Sequence, residues 1–342
     1  MKILITGGSG FVGSNIAIYL KKNLRGSKIY SLDNLSRRGS KINKKRLLNH
    51  KIKNYRVNIE NFNSIITLPK FDLVIDCCAE PAIEESRKNP DKVFYTNLVG
   101  TFNILKKCIK DKSNLIFLSS SRVYSIDKLK EIINKKIIKN AIKIKKKINL
   151  DFHTSSASSL YGFTKLSSEK LIQEIFYNTK QKYIINRFGV IAGPWQFGKQ
   201  DQGFVPLWVA KHFLKGKLSY IGFGGYGHQV RDVLHIDDVC EIILKQINKL
   251  NKINNQIFNI GGGTRNAISL KTLTAKCKML TRNKIVLKKV VKTSQFDIPY
   301  YVTDNSKIVK FYKWKPTNSL DKILKDIYIW LLQNKSVWKY FK

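Results

Sequence analysis

Thr6-Gly7-Gly8-Ser9-Gly10-Phe11-Val12-Gly13 is the stretch that decides the fold. Ahead of it runs a short apolar segment, residues 2–6 (KILIT), of the kind that forms a buried parallel strand. Behind it, Val12, Ile16, Tyr19 and Leu20 recur at helical spacing over residues 11–22. A G-x-G-x-x-G turn between strand and helix brings backbone N–H groups close to a pyrophosphate, and the helix N-terminus adds partial positive charge. Asp33 stands twenty residues beyond Gly13, at the end of a second apolar run, 28–32 (KIYSL). A carboxylate there accepts hydrogen bonds from ribose hydroxyls and repels a 2′-phosphate, so the expected cofactor is NAD. Arg37 and Arg38 follow closely and could neutralise such a phosphate.

Further strands are expected at 55–59, 72–76, 114–118 and 183–187, with helical patterns between them, including 93–110 and about 161–178. This alternation implies an α/β fold with a doubly wound parallel sheet. After residue 190, Gly, Pro and aromatics crowd 189–208 and 221–228, which suits loops that wrap a ligand better than a regular sheet. A helix near 237–249 and a strand at 256–260 are expected to return to the first sheet, and Ser319 caps a helix over 319–333. The expected partition is a Rossmann domain of residues 1–190, with 233–262 returning to it. Residues 191–232 and 263–342 then form a smaller mixed α/β substrate-binding lobe. Residues 126–149, rich in lysine and isoleucine, read as a solvated surface insertion.

Composition narrows the class. The 342 residues are 43% hydrophobic and 11% aromatic, as in an ordinary globular protein. No run reaches the ~18 apolar residues of a membrane span, and Met1 leads straight into the first strand without a signal peptide. Five scattered cysteines suit reduced thiols, so a cytoplasmic protein without membrane contact is expected. The net charge of +40 comes from lysines spread from Lys21 to Lys342, not from one stripe. That spread argues against nucleic acid as a partner, although the field favours anionic substrates. His153, His228 and His235 show no metal-ligand spacing, and no metal is expected.

Tyr161 and Lys165 form a Y-x-x-x-K pair, which shares one helix face. A free tyrosine titrates near 10, and a neighbouring ammonium together with a cationic nicotinamide would lower that value. Tyr161 could then take a proton from a sugar hydroxyl. Ser119-Ser120-Ser121 ends the strand at 114–118, where an open parallel sheet places its ligands.

The ordered set TGGSGFVG, DNLSRRGS, NLVGT, SSSRVY, YGFTK and RDVLHIDD resembles the extended short-chain dehydrogenase/reductase family of sugar-nucleotide epimerases and dehydratases. The resemblance covers nearly the whole chain. Within the family, INRFGVIAGPWQFGKQDQGF, YIGFGGYGHQVRDVLH and FNIGGGTRNAISL are similar to an epimerase acting at C2 of a CDP-sugar.

The resemblance implies Ser120, Tyr161 and Lys165 as the catalytic set. It implies NAD contacts from Gly7, Gly10, Phe11, Val12, Asp33, Asn34, Asn58, Ile59 and Asn97, besides Tyr161 and Lys165. It implies substrate contacts from Glu80, Arg187, Gln202 and Arg231, the last gripping the nucleotide diphosphate, and a homo-oligomer. The chain departs from the family at Ser294, where an arginine is usual, and at Asn58, where an aspartate is usual. Glu80-Pro81 replaces apolar or amide residues. Ser121 and Arg122 replace the acid pair of the dehydratases, which argues against loss of water. Two other readings stay open: an epimerase or reductase of another nucleotide sugar, such as a 4-epimerase, and a basic, non-catalytic RNA-binding protein of this fold. Val190, in place of a substrate asparagine, counts against the 4-epimerase, and the intact Ser120–Tyr161–Lys165 set counts against the RNA binder.

Overall fold

The computed structural model describes residues 1–133, 144–156, 158–199, 202–252 and 255–342. In chain order the strands are β1 (Lys2–Thr6), β2 (Lys28–Leu32), β3 (Lys53–Tyr55), β4 (Leu73–Asp76), β5 (Asn114–Ser120) and β6 (Tyr183–Phe188). There follow β7 (Val190–Ala192), β8 (Leu218–Ile221), β9 (Val230–His235), β10 (Gln256–Ile260), β11 (Ala267–Ser269), β12 (Leu287–Val290) and β13 (Tyr300–Tyr301). The chain divides into two compact units. The first is Met1–Val123, Ser159–Arg187 and Val239–Phe258; the second is Tyr124–Ser158, Phe188–Asp238 and Asn259–Lys342. The expected partition differs from these bounds chiefly by keeping 124–158 with the first.

The first unit is built on a seven-stranded parallel sheet ordered β10-β6-β5-β4-β1-β2-β3 and flanked by helices, a Rossmann-type arrangement. β1 lies between β2 and β4, in parallel register with both; Leu4 faces Tyr30 on one side and Val74 on the other. Ile3, Leu4, Ile5, Val74, Ile75 and Phe117 are fully buried, as strands covered on both faces require. The chain leaves β1 toward β2 and β3, then returns to β4. Strand order therefore reverses beside β1, and this switch point opens a crevice at the strands' carboxyl ends.

Two expectations change in detail. The third strand is found at Lys53–Tyr55, earlier than 55–59. Residues beyond it turn instead: Asn58 Oδ1 accepts the Glu60 N–H at 3.3 Å, and Asn61 caps the helix Phe62–Ile66. The single helix expected at 93–110 is three pieces: an α-helix Pro90–Phe94, a π-turn Tyr95–Val99 and an α-helix Gly100–Asp111. The π-turn holds Asn97 fully buried, and such turns cluster at functional sites.

In the second unit β9 pairs with β7 and β13 in parallel and with β11 antiparallel, while β8 and β12 form a separate parallel pair. Within the Gly- and aromatic-rich stretches, 189–208 holds β7 and the start of the helix Phe204–Phe213, while β8 and β9 flank 221–228, which remains largely turn. Of the aromatic cluster there, Trp208 is core, while Trp195, Phe197 and Phe204 are half-buried. Trp208 is buried, with its indole N–H on Thr274 Oγ1 at 3.0 Å, and Phe197 packs edge-on against Trp330 and Tyr340.

The lysine-rich segment is not a solvated insertion at its ends. Ile126, Leu129, Ile133 and Ile148 are buried, and the Tyr300 hydroxyl meets the carbonyls of Ile144 and Lys146 at 2.8 and 2.7 Å. Its middle, 134–143, lies outside the described residues. No helix among the described residues is long and apolar enough to cross a membrane.

Candidate active site

The glycine loop lies where β1 ends. Gly7 has φ 57°, the left-handed region that glycine enters without steric cost, and its carbonyl accepts the Gly10 N–H at 2.9 Å. A Cβ on Gly13 would stand 2.4 Å from the Gly7 oxygen, so only glycine lets the helix approach the loop this closely. The helix Phe11–Asn23 starts at Gly10 with no capping side chain, which leaves the amides of Phe11 and Val12 without a side-chain acceptor. Asp33 is buried; one carboxylate oxygen accepts the Ser9 N–H at 3.0 Å and the other the Leu35 N–H at 2.7 Å. Burial raises its pKa, against the pull of those amides and of Arg37. Asn34 is exposed and accepts the Ser36 N–H, while Ile59 is buried and Asn58 holds its turn. Uncapped amides beside a buried carboxylate suit a dinucleotide, with the amides toward the pyrophosphate and Asp33 toward the ribose.

Ser120 closes β5. Tyr161 and Lys165 stand one turn apart on the helix Leu160–Phe176, whose start is capped by Ser159 Oγ on the Gly162 N–H at 3.1 Å. Tyr161 and Ser120 share a side-chain hydrogen bond. Burial pushes the Tyr161 pKa above its ordinary value, opposed by Ser120 and the nearby Arg122 and Arg37, with Glu80 acting in the same sense as burial. The expected lowering includes the cationic nicotinamide, which adds to the pull of these cations when NAD is bound. Lys165 is buried, with its ammonium 4.1 Å from the centre of the Phe117 ring. Burial lowers its pKa, and Asp76 is the chief opposing charge.

Asn97 locks the floor of the site. Its Oδ1 accepts the Glu80 N–H at 2.7 Å, and its Nδ2 donates to the Glu80 carbonyl and to Thr164 Oγ1, both at 3.2 Å. The Glu80 carboxylate is buried and engaged by Arg37 at 2.5 Å and Lys92 at 3.3 Å. Arg187 is paired with Glu169, one turn beyond Lys165, through Nε at 3.1 Å and Nη2 at 2.7 Å. Glu169 also accepts Ser119 Oγ at 2.5 Å.

Among the residues expected to touch substrate, Glu80 and Arg187 thus lie in the first unit, tied into ion pairs. Arg231 and Gln202 belong to the second. Arg231 donates to the carbonyls of Val230 and Ile298 at 2.7 and 2.6 Å, and Gln202 exchanges backbone hydrogen bonds with Lys199 at 2.7 and 3.3 Å. His235 is a structural partner at the start of the helix Ile236–Lys249. Its Nδ1 accepts the Asp237 N–H at 3.0 Å, its Nε2 lies 3.3 Å from Asp326, and Lys322 reaches that same Asp326 oxygen at 2.5 Å.

Sequence reading passed over Glu169, although it lies four residues beyond Lys165. It also weighed Arg37 and Arg122 only for other tasks.

The chain matches the NAD dependent epimerase/dehydratase family over residues 3–261. It belongs to that family. Its cofactor is NAD. Among curated relatives it is 29% identical to a CDP-paratose 2-epimerase of Salmonella typhi, over 96% of this chain and 99% of that protein. A dTDP-D-glucose 4,6-dehydratase of Dictyostelium discoideum is 31% identical over 76% of this chain and 58% of that protein. The UDP-glucuronic acid 4-epimerase of Bacillus cereus, solved with UDP-glucuronic acid and NAD, shares the fold. It aligns at TM-score 0.82 and 24% identity, over 97% of this chain and 99% of that one. This family membership places the chain among NAD-dependent enzymes of nucleotide sugars.

Proposed function

We propose that the protein epimerises a nucleotide-activated sugar, most specifically CDP-paratose at C2 to give CDP-tyvelose. The observation that carries the reading is the buried Tyr161 phenol with Ser120 as its hydrogen-bonding neighbour and Lys165 one turn along the same helix. NAD, held by these residues, would supply the hydride acceptor and donor for the sugar carbon. Tyr161 takes the proton from the hydroxyl on that carbon, and Ser120 holds the reacting oxygen in line with it. Lys165 supports the tyrosine from the same helix face and holds the nicotinamide ribose. Gly7, Gly10, Phe11 and Val12 supply the pyrophosphate cradle, Asp33 and Asn34 the adenosine ribose, and Asn58 and Ile59 the adenine. Arg231 grips the diphosphate of the sugar nucleotide, and Glu80, Arg187 and Gln202 supply the remaining substrate contacts. The substrate choice rests on the similar CDP-paratose 2-epimerase and on Ser121 and Arg122, which lack the acids that expel water. Purified protein offered CDP-, UDP-, GDP- and dTDP-sugars, followed by NMR, tests this. Interconversion of CDP-paratose and CDP-tyvelose supports it, and turnover of a UDP-sugar alone overturns the substrate.

Protonation of Tyr161 sets an acid limb on the pH profile, because a base works only when deprotonated. Arg122 holds that pKa down. The variant Arg122→Met is therefore expected to move the acid limb of kcat/KM to higher pH, with the wild-type plateau recovered in alkali. An unmoved limb would show that Arg122 does not act on the tyrosine.

The protein is further proposed to be a cytoplasmic homodimer. Phe94, Tyr95 and Phe102 on the helices around Asn97, and Phe163 and Tyr177 on the catalytic helix and just after it, are exposed, an aromatic set that water disfavours. Phe102→Glu is expected to yield monomers in analytical ultracentrifugation where the wild type sediments as a dimer.

A further inference from the structure

Arg37 and Arg38 follow Asp33 on the loop after β2, where a free guanidinium would bind the 2′-phosphate of NADP. Arg37 is turned elsewhere. Its Nη1 lies 2.5 Å from Glu80 Oε1, and Glu80 comes from the loop after β4. Since β2 and β4 flank β1, the ion pair joins the loops on either side of β1. Glu80 is well placed to hold it. The carboxylate is only 8% exposed, its peptide is bonded on both sides to the buried Asn97, and Lys92 supports its second oxygen at 3.3 Å. The guanidinium also acts through space on Asp33, so it lies on the same side of the loop as the ribose ligand.

We infer that Glu80 is a specificity-determining residue for the cofactor: by binding Arg37 it withdraws from the adenosine end the cation that would accept a 2′-phosphate. Asp33 then repels that phosphate while Arg37, which still acts on Asp33 through space, gives its short bond to Glu80. The inference rests on the NAD site alone and does not depend on which sugar is used.

The test incubates purified protein with an equal mixture of NAD⁺ and NADP⁺ and measures the bound nucleotides by chromatography after rapid desalting. Wild type is expected to hold NAD⁺. Glu80→Gln is expected to raise the bound NADP⁺ to NAD⁺ ratio by about tenfold or more, the size of one charge-assisted hydrogen bond. Adding Arg37→Met to that variant should return the ratio to the wild-type value, whereas Arg38→Met should not. An unchanged ratio in Glu80→Gln overturns the inference. So does a gain that survives Arg37→Met, because Lys92 or Arg38 would then be the phosphate ligand. Arg37→Met alone decides independently: a lower NADP⁺ share than wild type would mean that Arg37 already serves the phosphate. Because no arm contains a sugar, these outcomes are separate from failure of the proposed epimerisation.

Discussion

Replacing Tyr161 with phenylalanine is expected to lower turnover of the sugar nucleotide by about 10²–10⁴-fold, the usual worth of a positioned acid–base group. The substitution removes one oxygen and preserves the ring. Tyr161 is buried on a capped helix, so the ring holds its place and the fold should persist. Ser120 loses its hydroxyl partner but keeps the Arg122 N–H, which donates to its Oγ at 3.1 Å. NAD binding should remain close to wild type, because the glycine loop and Asp33 are untouched. Kinetics by NMR alongside nucleotide retention separates the two effects. A variant retaining more than a tenth of wild-type turnover would remove Tyr161 from the proton transfer.

Glu169→Ala is expected to cost about 3–5 kcal/mol of folding stability, the range found when one member of a buried ion pair is removed. Arg187 and Glu169 are 9% and 1% exposed, and without the carboxylate the guanidinium and Ser119 Oγ lose a shared acceptor. Urea unfolding should show a lower midpoint with an unchanged slope. Replacing both partners, Glu169→Leu with Arg187→Met, should recover much of the loss, because no buried charge is then left alone. If the double variant is no more stable than Glu169→Ala, the pair is not the source of the effect.

The nucleotide half of the molecule was legible because its signals are local. A buried strand, a glycine turn and a helix are adjacent in sequence, and Asp33 lies one strand further on. The Y-x-x-x-K pair is also local, one turn of one helix. What stayed hidden depends on contacts between segments distant in sequence. Glu80 meets Arg37 across β1, and Glu169 meets Arg187 from a neighbouring strand; neither pairing leaves a spacing to read. The π-turn at Tyr95–Val99 was missed because it preserves an apolar helical rhythm while rotating Asn97 inward. The short strand β7 was masked by the glycine and aromatic content of 189–208, which describes the loops around it better than the strand itself. Sequence also names the cations near Tyr161 but not the burial that opposes them in the protein without NAD.

The central claim is that hydrogen leaves one face of a sugar carbon and returns to the other without exchanging with water. CDP-paratose carrying deuterium at C2, converted by the purified protein in ordinary water, tests it most directly. Deuterium retained at C2 of the CDP-tyvelose formed, with none lost to solvent, is the expected result. Loss of the label to water, or uptake of solvent deuterium by unlabelled substrate in heavy water, would mean that the carbon is deprotonated instead, and would contradict the account.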